Sequence, residues 1–317
     1  MSNTSLEEST LSICANCGKG EEASGDLKSC ASCKMVKYCS RDCQIAHRPQ
    51  HKRECKRRAA ELHDEKLFKD HPPTKDCPIC MVPLPIDGEN KEIFKTCCGK
   101  TLCTGCQIVM TREAKKKGKK FEENLCAFCR KPEYKTTDDL MKRLKGHIDK
   151  GNTDAICFLG CMYIRGLYGL PQDYRKANEL FLQAGEMGCA SAYYNLGRSH
   201  EKGLGVEIDI KKAKYYFESA AMMGDVQARC LLGAHEIDEE ASIQSIHRSQ
   251  KHFMVAARAG HTIALDVVKR GFIRGHVTKD EYAQTLRAYK KRYDEMKSDA
   301  RDRAAPLFAE MRRRDIV

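Results

Sequence analysis

Fifteen of the chain's 19 cysteines fall between Cys14 and Cys129, almost all in closely spaced pairs; Cys157, Cys161, Cys189 and Cys230 are scattered through the remainder. This uneven placement constrains the fold more than any other feature. In a reducing compartment, C-x2-C pairs hold metal rather than a disulfide framework. A reducing setting, cytoplasmic or nuclear, is the expectation, because no charged-then-apolar leader opens the sequence and no apolar run approaches the roughly 20 residues that span a bilayer. At 317 residues the chain has room for two or three domains of different kinds.

The first series runs Cys14-x2-Cys17, Cys30-x2-Cys33, Cys39-x3-Cys43 and His51-x3-Cys55. Eight ligand-type residues fill two tetrahedral zinc sites with none left over. A C-x2-C turn brings two thiolates to one ion, and i, i+4 spacing on a helix puts Cys39 with Cys43, and His51 with Cys55, on one face. The segment has too few apolar residues for its own core, so metal would supply its folding energy. Spacing alone permits sequential or interleaved pairing.

In order and in its YCSRDCQ…HKRECKR tail, this series resembles the MYND-type zinc finger. The resemblance implies interleaved zinc sites, with Cys14, Cys17, Cys39 and Cys43 on one ion and Cys30, Cys33, His51 and Cys55 on the other. Arg48 stands where the family usually has tryptophan, on the surface linked to peptide binding, so the family's proline-rich ligands are not carried over.

The second series comprises Cys77 with Cys80, adjacent Cys97 and Cys98, Cys103 with Cys106, and Cys126 with Cys129. It resembles an all-cysteine RING finger. That likeness implies Cys77, Cys80, Cys103 and Cys106 on one zinc, and Cys126 and Cys129 on another with Cys97, Cys98 or both. Lys100, at the family's histidine position, is no zinc ligand. Zinc closed by four protein ligands has no open position to activate water, so these sites are scaffolds. In RING ligases the chemistry belongs to a bound ubiquitin-conjugating enzyme. The docking residues implied here are Ile79, a helix residue among Ile108, Val109 and Met110 with Val109 foremost, and Arg130, while Ala127 replaces the usual proline.

Beyond residue 150 the pattern changes. Gly188, Gly224 and Gly260 recur every 36 residues, as do Phe181, Phe217 and Phe253, and Ala184, Ala220 and Ala256. Such a period marks a solenoid of helix pairs. In the clearest unit Ala192, Leu196 and Gly197 form a small packing face, Gly203 and Gly205 end the helix, and Asp209 caps the next. These residues resemble the Sel1-like repeat, an α/α hairpin that stacks like a tetratricopeptide array. A degenerate fourth unit begins at His261 and carries a capping-box pattern at Thr278 and Glu281. Tyr163, Tyr193, Tyr194, Tyr215 and Tyr216 read as core at helical spacing, and His200, His235, His247 and His252 show no metal-site spacing.

The expected fold is mainly α: two small cross-brace zinc modules followed by an α/α solenoid of Sel1-like repeats. The expected boundaries are 1–13 disordered, 14–58 first finger, 59–73 linker, 74–133 second module and 134–150 connecting helix. Repeats follow at about 151–187, 188–223, 224–259 and 260–296, then a charged cap and tail at 297–317. The formal charge of +12 gathers in KRECKRR, REAKKKGKK and RRR, without interleaved stacking aromatics, which argues against nucleic acid. No catalytic triad, carboxylate pair or P-loop is present, and the methyltransferases that contain a MYND finger need a long β-rich region absent from this sequence. The expected function is protein–protein interaction, as a RING-type ubiquitin ligase or ligase-like scaffold or, alternatively, as a non-catalytic adaptor. Zinc is the expected cofactor, two ions in each module. The expected partners are proteins, among them a conjugating enzyme, with no membrane.

Overall fold

The computed structural model describes residues 13–21, 25–70, 75–86, 92–116, 125–132, 134–237 and 242–315. The expected disorder before Ile13, the pair Pro72 and Pro73, and the lysine run beyond Lys116 lie outside these residues. The chain divides into two compact units, Met1–Lys69 and Asp70–Val317.

In the first unit, strands β1 (Lys28–Ser29) and β2 (Lys37–Tyr38) pair antiparallel, with Lys28 opposite Tyr38. Helix α1 follows at Arg41–Leu67, capped by Ser40, whose hydroxyl accepts the Cys43 amide at 3.2 Å. The helix continues well into the segment expected as linker. Its exposed face carries the reason: Arg57 pairs with Glu54 and Glu61, and Arg58 with Glu61 and Glu65, at one- and two-turn spacing. The core is small, consisting of Leu27 and Tyr38 with the thiols of Cys14, Cys30 and Cys33.

The second unit opens with a cysteine-bearing hairpin, β3 (Glu92–Lys95) against β4 (Lys100–Cys103), leading directly into α2 (Thr104–Lys116). Helix α3 (Thr137–Ile148) connects it to four helix pairs. These are α4 (Thr153–Arg165) with α5 (Tyr174–Glu186), α6 (Ala190–Lys202) with α7 (Ile210–Met222), α8 (Val226–His235) with α9 (Ile243–Arg258), and α10 (Thr262–Ile273) with α11 (Lys279–Glu295). Within the first three pairs, alanine and glycine on one helix admit a phenylalanine from the next: Phe181 and Phe217 are fully buried and Phe253 nearly so. Between pairs the same turn recurs. Gly188, Gly224 and Gly260 take φ of 98°, 97° and 105°, and the following amides of Cys189, Asp225 and His261 reach back to the carbonyls of Ala184, Ala220 and Ala256.

The connecting helix and the first repeat are keyed onto the cysteine module. His147 Nε2 donates to the Thr96 carbonyl at 2.9 Å, Asn152 Nδ2 donates to the Gly99 carbonyl at 3.0 Å, and Lys75 pairs with Asp154 at 2.9 Å.

The last segment departs from expectation. Residues Asp299–Asp315 form helix α12 rather than a charged tail, and α12 packs against α2. Ala304 and Leu307 are buried, and Ala300 joins the cluster around Cys77, Cys103 and Cys106. Arg301, 5% exposed, donates to the carbonyls of Pro83 at 2.7 Å and Met296 at 2.6 Å, while Arg303 pairs with Glu113. A stripe of only three small or apolar residues in a charged segment is a weak sequence signal, which is why the helix was not expected to dock.

Candidate metal centres

Four C-x2-C turns share one local geometry. The amides of Gly18, Lys34, Met81 and Arg130 donate to the carbonyls of Cys14, Cys30, Cys77 and Cys126 at 2.9–3.0 Å. In each turn the residue after the second cysteine has positive φ: 72° at Gly18, 58° at Lys34, 56° at Met81 and 61° at Arg130. This left-handed residue reverses the chain so that both thiols point to one side. The turn also aims the amide of the second cysteine at the first thiol, as it does for Cys14, Cys30, Cys77 and Cys126.

The side chains gather into four groups: Cys14, Cys17, Cys39 and Cys43; Cys30, Cys33, His51 and Cys55; Cys77, Cys80, Cys103 and Cys106; and Cys97, Cys98, Cys126 and Cys129. Within each, one ligand atom per residue lies within 4.8 Å of all the others. Individual separations are 3.6 Å for Cys17–Cys39, 3.7 Å for Cys30–Cys55, 3.9 Å for Cys80–Cys103 and 3.5 Å for Cys97–Cys129. A tetrahedron of zinc–sulfur bonds near 2.3 Å has edges of about 3.8 Å, so the groups fit zinc. The separations are far longer than the roughly 2 Å of a disulfide, and every cysteine is free.

In each module the two groups interleave along the sequence, one of the two pairings that spacing had left open. Adjacent Cys97 and Cys98 both turn toward Cys126 and Cys129. One local expectation is corrected. Cys39 does not share a helix face with Cys43, because it lies before the Ser40 cap at the end of β2, and the turn into α1 brings the two sulfurs to 3.5 Å. His51 Nε2 lies 3.2 Å from Cys33 Sγ.

In each group one thiol is favoured as thiolate, Cys14, Cys30, Cys77 and Cys126 in turn, while contact with neighbouring thiols or burial pushes Cys39, Cys55, Cys106 and Cys97 up. Hydrogen bonds from the amides of Cys17 and Cys39 bring Cys14 down to about 6. Burial opposes ionisation of Cys30, but the Cys33 amide and His51 also bring it to about 6. Hydrogen bonds from Cys103 and Cys106 hold Cys77 lower still. Dipoles aimed at sulfur stabilise the charged form that binds metal.

Residues outside the cysteine pattern also shape the sites. His47 stacks on His51 with ring centres 5.6 Å apart, and its Nδ1 meets the Tyr38 hydroxyl at 3.1 Å. One signal was available for this: His47 and His51 are four residues apart in a helix. Arg301 reaches Cys103 from far along the sequence, where no pattern could indicate it.

The docking residues fare unequally. Ile79 is half-buried, and Arg130 is exposed immediately after Cys129. Val109, expected on an open helix face, lies inside at 7% exposure, where α2 meets its neighbours; Ile108 and Met110 are half-buried.

Comparison with known proteins identifies the first finger and two of the repeats. Residues 14–55 match the MYND finger, and residues 153–189 and 190–225 match the Sel1 repeat. The chain thus carries a MYND finger and Sel1 repeats. It is 33% identical over 81 residues to the Arabidopsis thaliana ERAD-associated E3 ubiquitin-protein ligase component HRD3A, which covers 26% of this chain and 12% of that relative. It is 39% identical over 72 residues to chitin synthase regulatory factor 1 of Schizosaccharomyces pombe, covering 22% of this chain and 16% of that protein. The chain therefore spans only a small part of the length of the curated relatives it matches. Among solved structures, a Sel1 repeat protein from Oxalobacter formigenes aligns with a TM-score of 0.41 at 22% identity, covering 49% of this chain and 64% of that one. Among the described residues, no helix is long and apolar enough to cross a membrane.

Proposed function

We propose that this protein is a zinc-stabilised adaptor that binds other proteins through its MYND finger and its repeats, and that the four cysteine groups are four structural zinc sites. Each group would close its ion with four protein ligands, leaving no position for a reacting water. The second module, RING-like in its ligand order, serves here as the built-in end of the solenoid.

The observation that carries the adaptor reading is the packing of α12 on α2. A conjugating enzyme would need Ile79 and the α2 face open together. Instead Ala300 of α12 packs on the same cluster as Ile79 and Met110, and Val109 is buried. Relatives described as ligase components are similar over too small a part of their length to carry ligase activity across.

Ubiquitin ligase activity is the second reading, favoured by exposed Arg130 directly after the last cysteine. An autoubiquitination assay with a panel of conjugating enzymes separates the two. The adaptor reading expects silence from the full chain and from a chain shortened before Asp299. Activity in either that disappears with Ile79→Ala would establish the ligase.

A further inference from the structure

The four cysteines that the metal groups do not use all face one place. Cys157 and Cys161 on α4, Cys189 at the start of α6 and Cys230 on α8 line a groove of about 1250 Å³ along one side of the repeats. They look scattered in sequence because they belong to three different repeats that the fold stacks side by side. Cys189 holds the same position in its repeat as Asp225 and His261, the residue that opens each new helix pair.

Three of the thiols form a contact cluster. Cys157, Cys161 and Cys189 pack in one cluster of the first repeats, with Cys161 and Cys189 near enough to Cys157 to push its thiol up, and Asn195 Nδ2 lies 4.0 Å from both Cys157 and Cys161. Cys157 and Cys189 are each 8% exposed. Lys75 acts on the Cys189 thiol electrostatically, its ammonium held by Asp154 at 2.9 Å. Contact with Cys157, and the Lys75 charge, favour the Cys189 thiolate against the opposing effects of burial and Asp154.

We propose that Cys157 and Cys189 are a peroxide-responsive thiol pair that closes to a disulfide across the wall of this groove, tying α4 to α6. Cys161 is the less suitable partner for Cys157. Residues one turn apart on a helix have Cβ atoms about 5–6 Å apart, beyond the roughly 3.5–4.5 Å that a disulfide requires. Cys189 meets no such limit: it precedes the first turn of α6 on extended backbone and its side chain makes no capping bond.

The chemistry balances with a hydroperoxide as oxidant. The Cys189 thiolate attacks one peroxide oxygen; the S–O bond forms, the O–O bond breaks, and hydroxide leaves to be protonated to water. The Cys157 sulfur then attacks the sulfenic sulfur; the S–S bond forms, the S–O bond breaks, and the departing hydroxide takes the Cys157 proton as a second water. Two thiols lose two electrons and the peroxide gains them.

The test treats the full, zinc-loaded chain with hydrogen peroxide, follows zinc release with a chromogenic chelator, and maps non-reduced peptides by mass spectrometry. The expected result, before zinc is released, is a Cys157–Cys189 cross-linked peptide lighter by two hydrogens than its separate parts and restored by dithiothreitol. The cross-link is lost in Cys157→Ser and Cys189→Ser and retained in Cys161→Ser, and circular dichroism checks that all three variants fold. Oxidation should also raise the Tm of the wild type and leave that of the two linkage-deficient variants unchanged. A Cys157–Cys161 link, or continued alkylation of Cys157 and Cys189 until the zinc thiols are themselves oxidised, would overturn the proposal.

Discussion

Gly197 on α6 lies flat against the ring of Phe217 on α7, so close that a Cβ at Gly197 would come 2.5 Å from the ring carbons. The preceding pair repeats the contact between Gly160 and Phe181, where the distance would be 2.6 Å, and the following pair repeats it between Gly233 and Phe253 at 2.9 Å. Glycine is present in these helices for close approach.

Gly197→Ala is therefore expected to destabilise the repeats by about 1–3 kcal/mol, the usual cost of forcing a methyl group into a filled core. Gly146→Ala is the matched control, since nothing lies within 4 Å of a Cβ there, and it should be neutral or stabilising by up to about 1 kcal/mol. Denaturant melts of the two variants should move in opposite directions, or only the first should move.

His252 gives the repeats a pH dependence. Burial, helped by the charges of Arg229, Arg248 and Lys214, brings its pKa down to about 2. Below the ordinary value of 6.5 the unfolded chain takes up a proton that the folded chain refuses, so stability falls as the pH drops from about 6.5 toward 2. His252→Gln removes this contribution. The difference in unfolding free energy between wild type and variant should change with pH below 6.5 by up to about 1.4 kcal/mol per unit, and should be flat above it.

Metal removal should affect the two units differently. The first unit has a core of five residues, three of them cysteines, and a chelator is expected to unfold its β1–β2 turn and ligand loops. The repeats have an independent apolar core around Phe181, Ile156 and Met162 and should keep their helical circular dichroism. About four zinc ions per chain are expected by elemental analysis, with one lost in His51→Ala and one in Cys126→Ser.

Three of the four metal turns place a residue other than glycine in the left-handed region. Met81, largely exposed, does so at φ 56°. Met81→Gly should stabilise the second module by about 1 kcal/mol, while Met81→Val should weaken it by at least as much. Zinc retention against a competing chelator would rank the variants glycine, methionine, valine if the turn is the cause.

The sequence was most legible where chemistry leaves little choice. Thiols and an imidazole at C-x2-C and H-x3-C spacing have few other uses, and glycine, alanine and phenylalanine at a 36-residue period state the solenoid directly. Pairing of ligands was not readable from spacing, because sequential and interleaved sites use the same residues. Cys39 was misplaced on a helix because the i, i+4 rule says nothing about where Ser40 starts one. The docking of α12 and the shared groove of Cys157, Cys189 and Cys230 depend on residues brought together only by the tertiary fold.

The bond from Arg301 to the Pro83 carbonyl joins positions 218 residues apart. During synthesis, Cys77, Cys80, Cys103 and Cys106 emerge long before α12, so their module is made without the helix that finally covers it. A newly made chain therefore passes through an interval in which α2 is open. Any protein that recognises α2 would have its opportunity then, at the ribosome, and the arrival of Arg301 would end it.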